Sequence, residues 1–182
     1  VALERIASVA SFFVSRIDST VDALLKLKGG EALLGKTAIA NAKLAYVAFD
    51  EIFSSPTFKA LEAKGAQPQR VLWASTGTKD PSYKDTLYVD ELIGPQTVNT
   101  LPPATLAAFQ DHGAPRASLK SDIDGARRVL AALPEHGVDL ELVLGVVPSL
   151  LELLTGRLLD AVAEVGPRQS RAEAVHAGAG SG

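Results

Sequence analysis

The stretch IASVASFFV, residues 6–14, runs for nine positions without a charged side chain. Bounded by Arg5 and Ser15, such a run predicts a strand buried on both faces, the form strands take in parallel sheets. Alternation puts Val9, Ser11 and Phe13 on one face and Ala10, Phe12 and Val14 on the other. Two further stretches read the same way, VLWAS at 71–75 and the shorter TVNTL at 97–101, which runs into Pro102-Pro103. Helical patterns lie between and after them. The order is strand, helices, strand, helices, strand, helices, which is the signature of an α/β fold with a parallel sheet. Three strands cannot close a barrel, and as an open sheet they expose apolar pairing edges. That arithmetic implies a larger domain of which the chain is a part.

Residues 20–28 predict a short helix with Val21, Leu24 and Leu25 on one side and Gly29-Gly30 as its stop. The clearest helix is 36–53, where Ile39, Ala42, Tyr46, Phe49 and Phe53 recur at three- and four-residue spacing. Ser54-Ser55-Pro56 breaks it, and 57–64 gives another short helix closed by Gly65. Prolines 102 and 103 suit the first turn of a helix reaching Gln110. Ser121 with Asp124 resembles a capping box before a helix bearing Ile123, Ala126, Val129, Leu130 and Leu133. Asp139 is placed to cap a last helix over 140–165, kinked at Pro148. From Gly166 the composition turns charged and then small, so the expected organisation is one unit at 1–165 and a flexible Gly/Ala-rich tail at 166–182.

Composition narrows the chemistry. The 182 residues, 47% hydrophobic and 21% charged, match globular usage and exclude a disordered chain. The net charge of -3 gives no basic excess, so neither nucleic acid nor an anionic membrane is an expected partner. Without a single Cys there is no disulfide, thiolate nucleophile or iron–sulfur cluster. His112, His136 and His176 form no i, i+4 pair, so no histidine metal site is expected. The longest apolar stretch, 142–154, is interrupted by Gly145, Pro148, Ser149 and Glu152 and is too short to span a bilayer. There is no Met, and the chain opens on Val1 without the marks of a signal peptide, which implies a fragment of a longer protein.

The side chains with chemistry to offer follow strand ends. Ser11 is either a core serine bonded to backbone or a hydroxyl facing a site. Arg16 comes directly after the first strand, where sites in such folds open, and is suited to phosphate or carboxylate. The alternative for Arg16 is a surface ion pair with Asp18. The loop Ser75-Thr76-Gly77-Thr78-Lys79 follows the second strand with hydroxyls, a glycine and a lysine, a possible anion-binding concavity without P-loop spacing. Neighbouring strands lie ~4.8 Å apart, so Arg16, Ser75 and Lys79 are expected to converge on one phosphate. His112, beside Asp111 and Gly113, reads as a helix terminus, and Lys43 as a lysine on a helix's solvent edge. Trp73, Tyr46, Phe49 and Phe53 read as core. No Ser-His-Asp triad and no carboxylate pair stands out.

Four blocks carry a resemblance: SVASFFVSRIDSTVD (8–22), GKTAIANAKLAYVAFDEIF (35–53), QRVLWASTGTKDPSYKDTLYVDELIGPQTVNTLP (69–102) and TLAAFQDHG (105–113). In order and in content they resemble the C-terminal part of transaldolases, in particular the bacterial branch sometimes fused to glucose-6-phosphate isomerase. The resemblance implies a (β/α)8 TIM barrel, with this chain supplying strands six to eight and their helices. It implies transfer of a dihydroxyacetone unit from sedoheptulose 7-phosphate to glyceraldehyde 3-phosphate through a lysine Schiff base, with neither metal nor cofactor, in the cytoplasmic pentose phosphate pathway. Ser11, Phe13 and Arg16 match the family's sixth-strand site positions, Ser75 its seventh-strand serine, and Lys79 a basic phosphate ligand. The Schiff-base lysine, the acid/base carboxylates and the first five strands are expected upstream of Val1, so the chain alone is expected to be inactive and to self-associate through its strand edges. Beyond about Leu140 the resemblance fades. Two alternatives stand beside this reading: a non-catalytic phosphate-binding half-barrel that needs a partner, and part of a bifunctional transaldolase/glucose-6-phosphate isomerase.

Overall fold

Three short strands set the frame of the computed structural model, which describes residues 2–144. Strand β1 (Val9–Phe13), β2 (Arg70–Ala74) and β3 (Thr97–Asn99) lie parallel in the order β1-β2-β3. Val9 pairs with Arg70 and Phe13 with Ala74, while Val71 pairs with Thr97 and Trp73 with Asn99. The three stretches read as strands are therefore strands, the first trimmed at both ends, the second shifted back by one residue and the third two residues shorter at its end.

Their burial corrects the expectation for 6–14. On one face of the sheet Val71 and Trp73 are completely buried, and Phe12 meets the Trp73 ring edge-on at 5.8 Å. On the other face Val9, Ser11 and Phe13 are exposed and Leu72 and Val98 half-buried. Among the described residues one face is covered and one is bare. The expected placement as strands six to eight of a closed (β/α)8 barrel is corrected here too. The described residues form an open α/β sheet, with β1 and β3 as its edges, because three parallel strands cannot complete a barrel's circumference.

The helices fill the gaps between strands. Helix α1 (Ser15–Leu27) begins one residue after β1, five residues earlier than its apolar pattern suggests, and buries Ile17, Val21 and Leu25. Helix α2 (Thr37–Ser54) matches its periodicity, with Tyr46, Phe49 and Phe53 buried. Ser55 caps α3 (Pro56–Glu62) by accepting from the Phe58 N–H at 3.2 Å. The short α4 (Leu87–Glu91) follows β2 and is not foreshadowed by the periodicity. Helix α5 (Pro103–His112) starts with proline as expected. Helix α6 (Ile123–Ala132) is capped by Asp122, whose carboxylate accepts from Gly125 N–H at 3.0 Å, and not by a Ser121 box. Asp139 caps α7 (Leu140–Leu144) through Glu141 and Leu142 N–H groups at 3.0 and 3.2 Å.

A run of aromatic rings makes the helix core. Tyr46 and Phe49 lie 5.4 Å apart by centroid, Phe49 and Phe53 4.9 Å, and Phe53 and Phe58 4.7 Å. Trp73, Tyr46, Phe49 and Phe53 are core residues as read. Among the described residues no helix is long and apolar enough to cross a membrane. The described residues belong to one compact unit, Val1–Val146. The helix expected through 165, its kink at Pro148, and the division at 165/166 lie outside the described residues.

Candidate functional site

The carboxyl edge of the sheet is extended past the strands by two backbone hydrogen bonds. Val14 N–H donates to Ala74 at 2.9 Å and Ser15 N–H to Ser75 at 3.0 Å. The same pair is tied again through side chains, with 2.9 Å between the Ser15 and Ser75 hydroxyl oxygens. Ser75 holds φ +58°, a left-handed conformation that costs a non-glycine residue about 1 kcal/mol and turns the chain sharply off β2. Next to it the buried Thr76 hydroxyl donates to the Asn99 side-chain oxygen at 2.9 Å, and Thr100 N–H donates to Trp73 at 3.0 Å. All three strand ends are thus fastened to one another.

Arg16 stands on this edge at the first turn of α1. Its guanidinium carbon lies 4.4 Å from the centroid of the Phe13 ring, which is 47% exposed on the bare face. Arg16 is exposed and enters no ion pair among the described residues. The surface pair with Asp18 is not formed, because the Asp18 carboxylate is buried and accepts from Ala38 N–H at 2.7 Å and from the Tyr88 hydroxyl at 2.9 Å. Ser11 lies on the same bare face as Phe13 and is exposed rather than packed in a core. Phe13, Arg16, Ser11 and, through Ser15, Ser75 therefore share one open edge with a free cation and hydroxyls.

Lys79 is exposed. It lines a cavity of about 380 Å³ together with Asp18, Asp22, Lys26, Asp80, Tyr83 and Tyr88, and neither Arg16 nor Ser75 belongs to that lining. Below the lysine, Asp22 accepts from Gly35 N–H at 3.2 Å and from the Tyr83 hydroxyl at 2.7 Å. Lys26 pairs with Asp80 at 3.1 Å at the rim. Burial pushes the Asp18 carboxyl up to about 6, against its hydrogen bonds from Ala38 and Tyr88 and with the nearby Asp22 charge. Burial and the two carboxylates raise both tyrosines as well. This buried pair was not visible as a carboxylate pair in the sequence. Its signal is the spacing of Asp18, Asp22 and Leu25 on one helical face.

Two other readings meet the structure differently. His112 ends α5 and sits between Asp111, 3.0 Å from Nδ1, and Asp85, 2.8 Å from Nε2, which hold its pKa up. It is the helix-terminal histidine expected. Lys43, by contrast, is buried and not on a solvent edge. Its ammonium donates to the Ser121 carbonyl at 3.1 Å and lies 3.3 Å from Glu91.

The carboxyl edge of the parallel strands, the end at which α/β folds hold their ligands, thus carries an arginine unpaired among the described residues together with hydroxyls. The profile of the Transaldolase/Fructose-6-phosphate aldolase family matches residues 1–147, and the chain belongs to that family. A protein named Transaldolase from Saccharopolyspora erythraea is 54% identical over 147 residues, 80% of this chain and 40% of that protein. One of the same name from Frankia alni is 59% identical over 140 residues, 75% of this chain and 38% of that protein. For Neisseria gonorrhoeae the figures are 53% over 140 residues, 77% and 39%. The chain spans about 40% of the length of these curated relatives. The family match occupies the N-terminal 147 residues of this chain, and its structure is the open three-stranded sheet. The reading as a C-terminal barrel part is not supported.

Proposed function

We propose that this chain supplies the phosphate-holding edge of a transaldolase that moves a dihydroxyacetone unit from sedoheptulose 7-phosphate to glyceraldehyde 3-phosphate. The observation that carries the reading is Arg16, free of any carboxylate among the described residues and held over Phe13 beside Ser11. A guanidinium so placed can grip a phosphate with two parallel N–H donors. The chemistry the family resemblance implies is a Schiff base between a lysine and the donor ketone, whose iminium takes up electrons when the carbon–carbon bond breaks. No described strand carries a lysine, and Lys43 is committed to Glu91. The carrier lysine then comes from outside these residues, in a longer cytoplasmic protein of which this chain is a part. By itself the chain has no turnover.

Borohydride added to the full-length protein with fructose 6-phosphate is expected to trap a covalent adduct. Absence of both adduct and erythrose 4-phosphate-dependent turnover rejects the reading. In the same protein Arg16→Ala is expected to raise KM for phosphorylated donors about ten- to a hundred-fold, the worth of one charge-assisted hydrogen bond. The Schiff base still forms, because the carbonyl lies at the far end of the substrate. Arg16→Lys restores the charge without the two-pronged grip and recovers part of the loss. Equal losses for phosphorylated donors and for unphosphorylated dihydroxyacetone would make Arg16 a support of the fold.

A further inference from the structure

Ser15 lies between Phe13 and Arg16, is 1% exposed, and belongs to none of the roles assigned above. Its backbone N–H donates to the Ser75 carbonyl at 3.0 Å, and its hydroxyl oxygen is 2.9 Å from that of Ser75. Either oxygen can be the donor by distance, but burial separates the two cases. A buried hydroxyl hydrogen left without an acceptor carries an uncompensated desolvation cost. Among the described residues Ser75 Oγ is the only side-chain acceptor in reach of Ser15 Oγ. Ser75 is half-buried, so its own hydrogen can turn outward. The arrangement that satisfies both groups has Ser15 donating to Ser75 and Ser75 left to donate to what arrives at the edge. A hydroxyl that already accepts one hydrogen bond is the better donor in its next.

We propose that Ser15 is a positioning residue that orients the Ser75 hydroxyl as a donor to an anionic phosphoryl oxygen beside Arg16. The proposal rests on the reading of this edge as the phosphate-holding edge of the protein. Ser15 itself touches no ligand and acts through Ser75. The left-handed φ of +58° at Ser75 belongs to the same device, since it swings the hydroxyl off the strand direction while Ser15 N–H holds the carbonyl.

The test is a double-substitution cycle in the full-length protein, with inorganic phosphate as the probe in calorimetric titration. Ser15→Ala is expected to weaken phosphate binding about threefold to tenfold, the range of one neutral hydrogen bond. Ser75→Ala is expected to match it, and the double variant to be no weaker than Ser75→Ala, since both changes remove one unit. Ser15→Cys, nearly isosteric and a weaker donor, is expected to fall between, and it reads the effect if the alanine variant does not fold. In turnover the loss is expected in KM for phosphorylated donors and not in KM for dihydroxyacetone. Unchanged phosphate affinity in a folded Ser15 variant, or additive losses in the cycle, overturns the proposal. Loss of phosphate binding on Ser15→Ala in a protein without transaldolase turnover supports the positioning role and rejects the functional reading alone. Failure of the unsubstituted protein to bind phosphate rejects both.

Discussion

Asp18 shows how much one side chain can fasten. It belongs to α1, yet its two oxygens accept from the first turn of α2 through Ala38 N–H and from α4 through the Tyr88 hydroxyl. The cost is a carboxyl pushed up to about 6, chiefly by burial. The folded protein therefore binds a proton more readily than the unfolded chain between about pH 4 and pH 6. In that window stability falls as pH rises, and above it the full penalty of the buried charge applies, about 3 kcal/mol. In the full-length protein Asp18→Asn is expected to flatten the urea-midpoint profile between pH 4 and 6, so that its stability relative to the unsubstituted protein improves as pH rises to 7, because the neutral amide keeps one acceptor and carries no buried charge. A profile equally steep in both proteins would place the titration elsewhere. Such a role was not legible from the sequence. The pair Asp18 and Asp22 reads as polar surface until Ile17, Val21 and Leu25 show that their side of the helix is inside. The places of Ser11, Phe13, Arg16 and Ser75 on the sheet and its edge were legible because an alternating strand and the residue after it fix a position without tertiary knowledge. The place of Lys79 in the lining beside Asp22 and Asp80 was not, because the loop that carries it follows neither a strand nor a helix period.

At the scale of elements, periodicity located what is long and amphipathic and missed what is short or anchored by polar groups. Helix α2 was plain from its aromatic spacing. Helix α4, only Leu87–Glu91, is anchored by polar groups, with Thr86 and Lys84 just before it donating to Asp90 at 2.8 and 2.7 Å and Ala114 N–H from the later chain donating to the same carboxylate at 2.8 Å. The start of α1 was masked because Ser15, Arg16, Asp18 and Ser19 look like a loop. The aromatic chain from Tyr46 to Phe58 joins α2 to α3, and Phe53 touches rings on both. Phe53→Ala is expected to cost about 3–5 kcal/mol, and Phe53→Leu clearly less, by urea unfolding. Equal costs would mean that ring contacts add nothing beyond buried area.

For the whole molecule the decisive feature is the asymmetry of the sheet. The face of Val71 and Trp73 is buried, while Val9 and Phe13 stay 39% and 47% exposed next to half-buried Leu72 and Val98. Among the described residues both outer strands also have a neighbouring strand on one side only. The 182-residue chain expressed by itself is therefore expected to associate with itself. Light scattering should show species larger than a monomer, and a charge placed by Val9→Lys should shift them downward. A concentration-independent monomer would contradict this.

The same asymmetry gives the protein a built-in optical probe. Trp73 is the single tryptophan of the chain, fully buried on the central strand, with its indole N–H unpartnered among the described residues and its ring meeting Phe12 edge-on. It lies on the buried face of the sheet, whereas Ser11 and Phe13 lie on the exposed one. Its emission is expected to stay blue while that face is dry and to shift to the red when the sheet opens. Ligand arriving at the opposite face, or copies gathering there, is expected to leave that colour alone. A single wavelength thus separates loss of the fold from occupation of its open side.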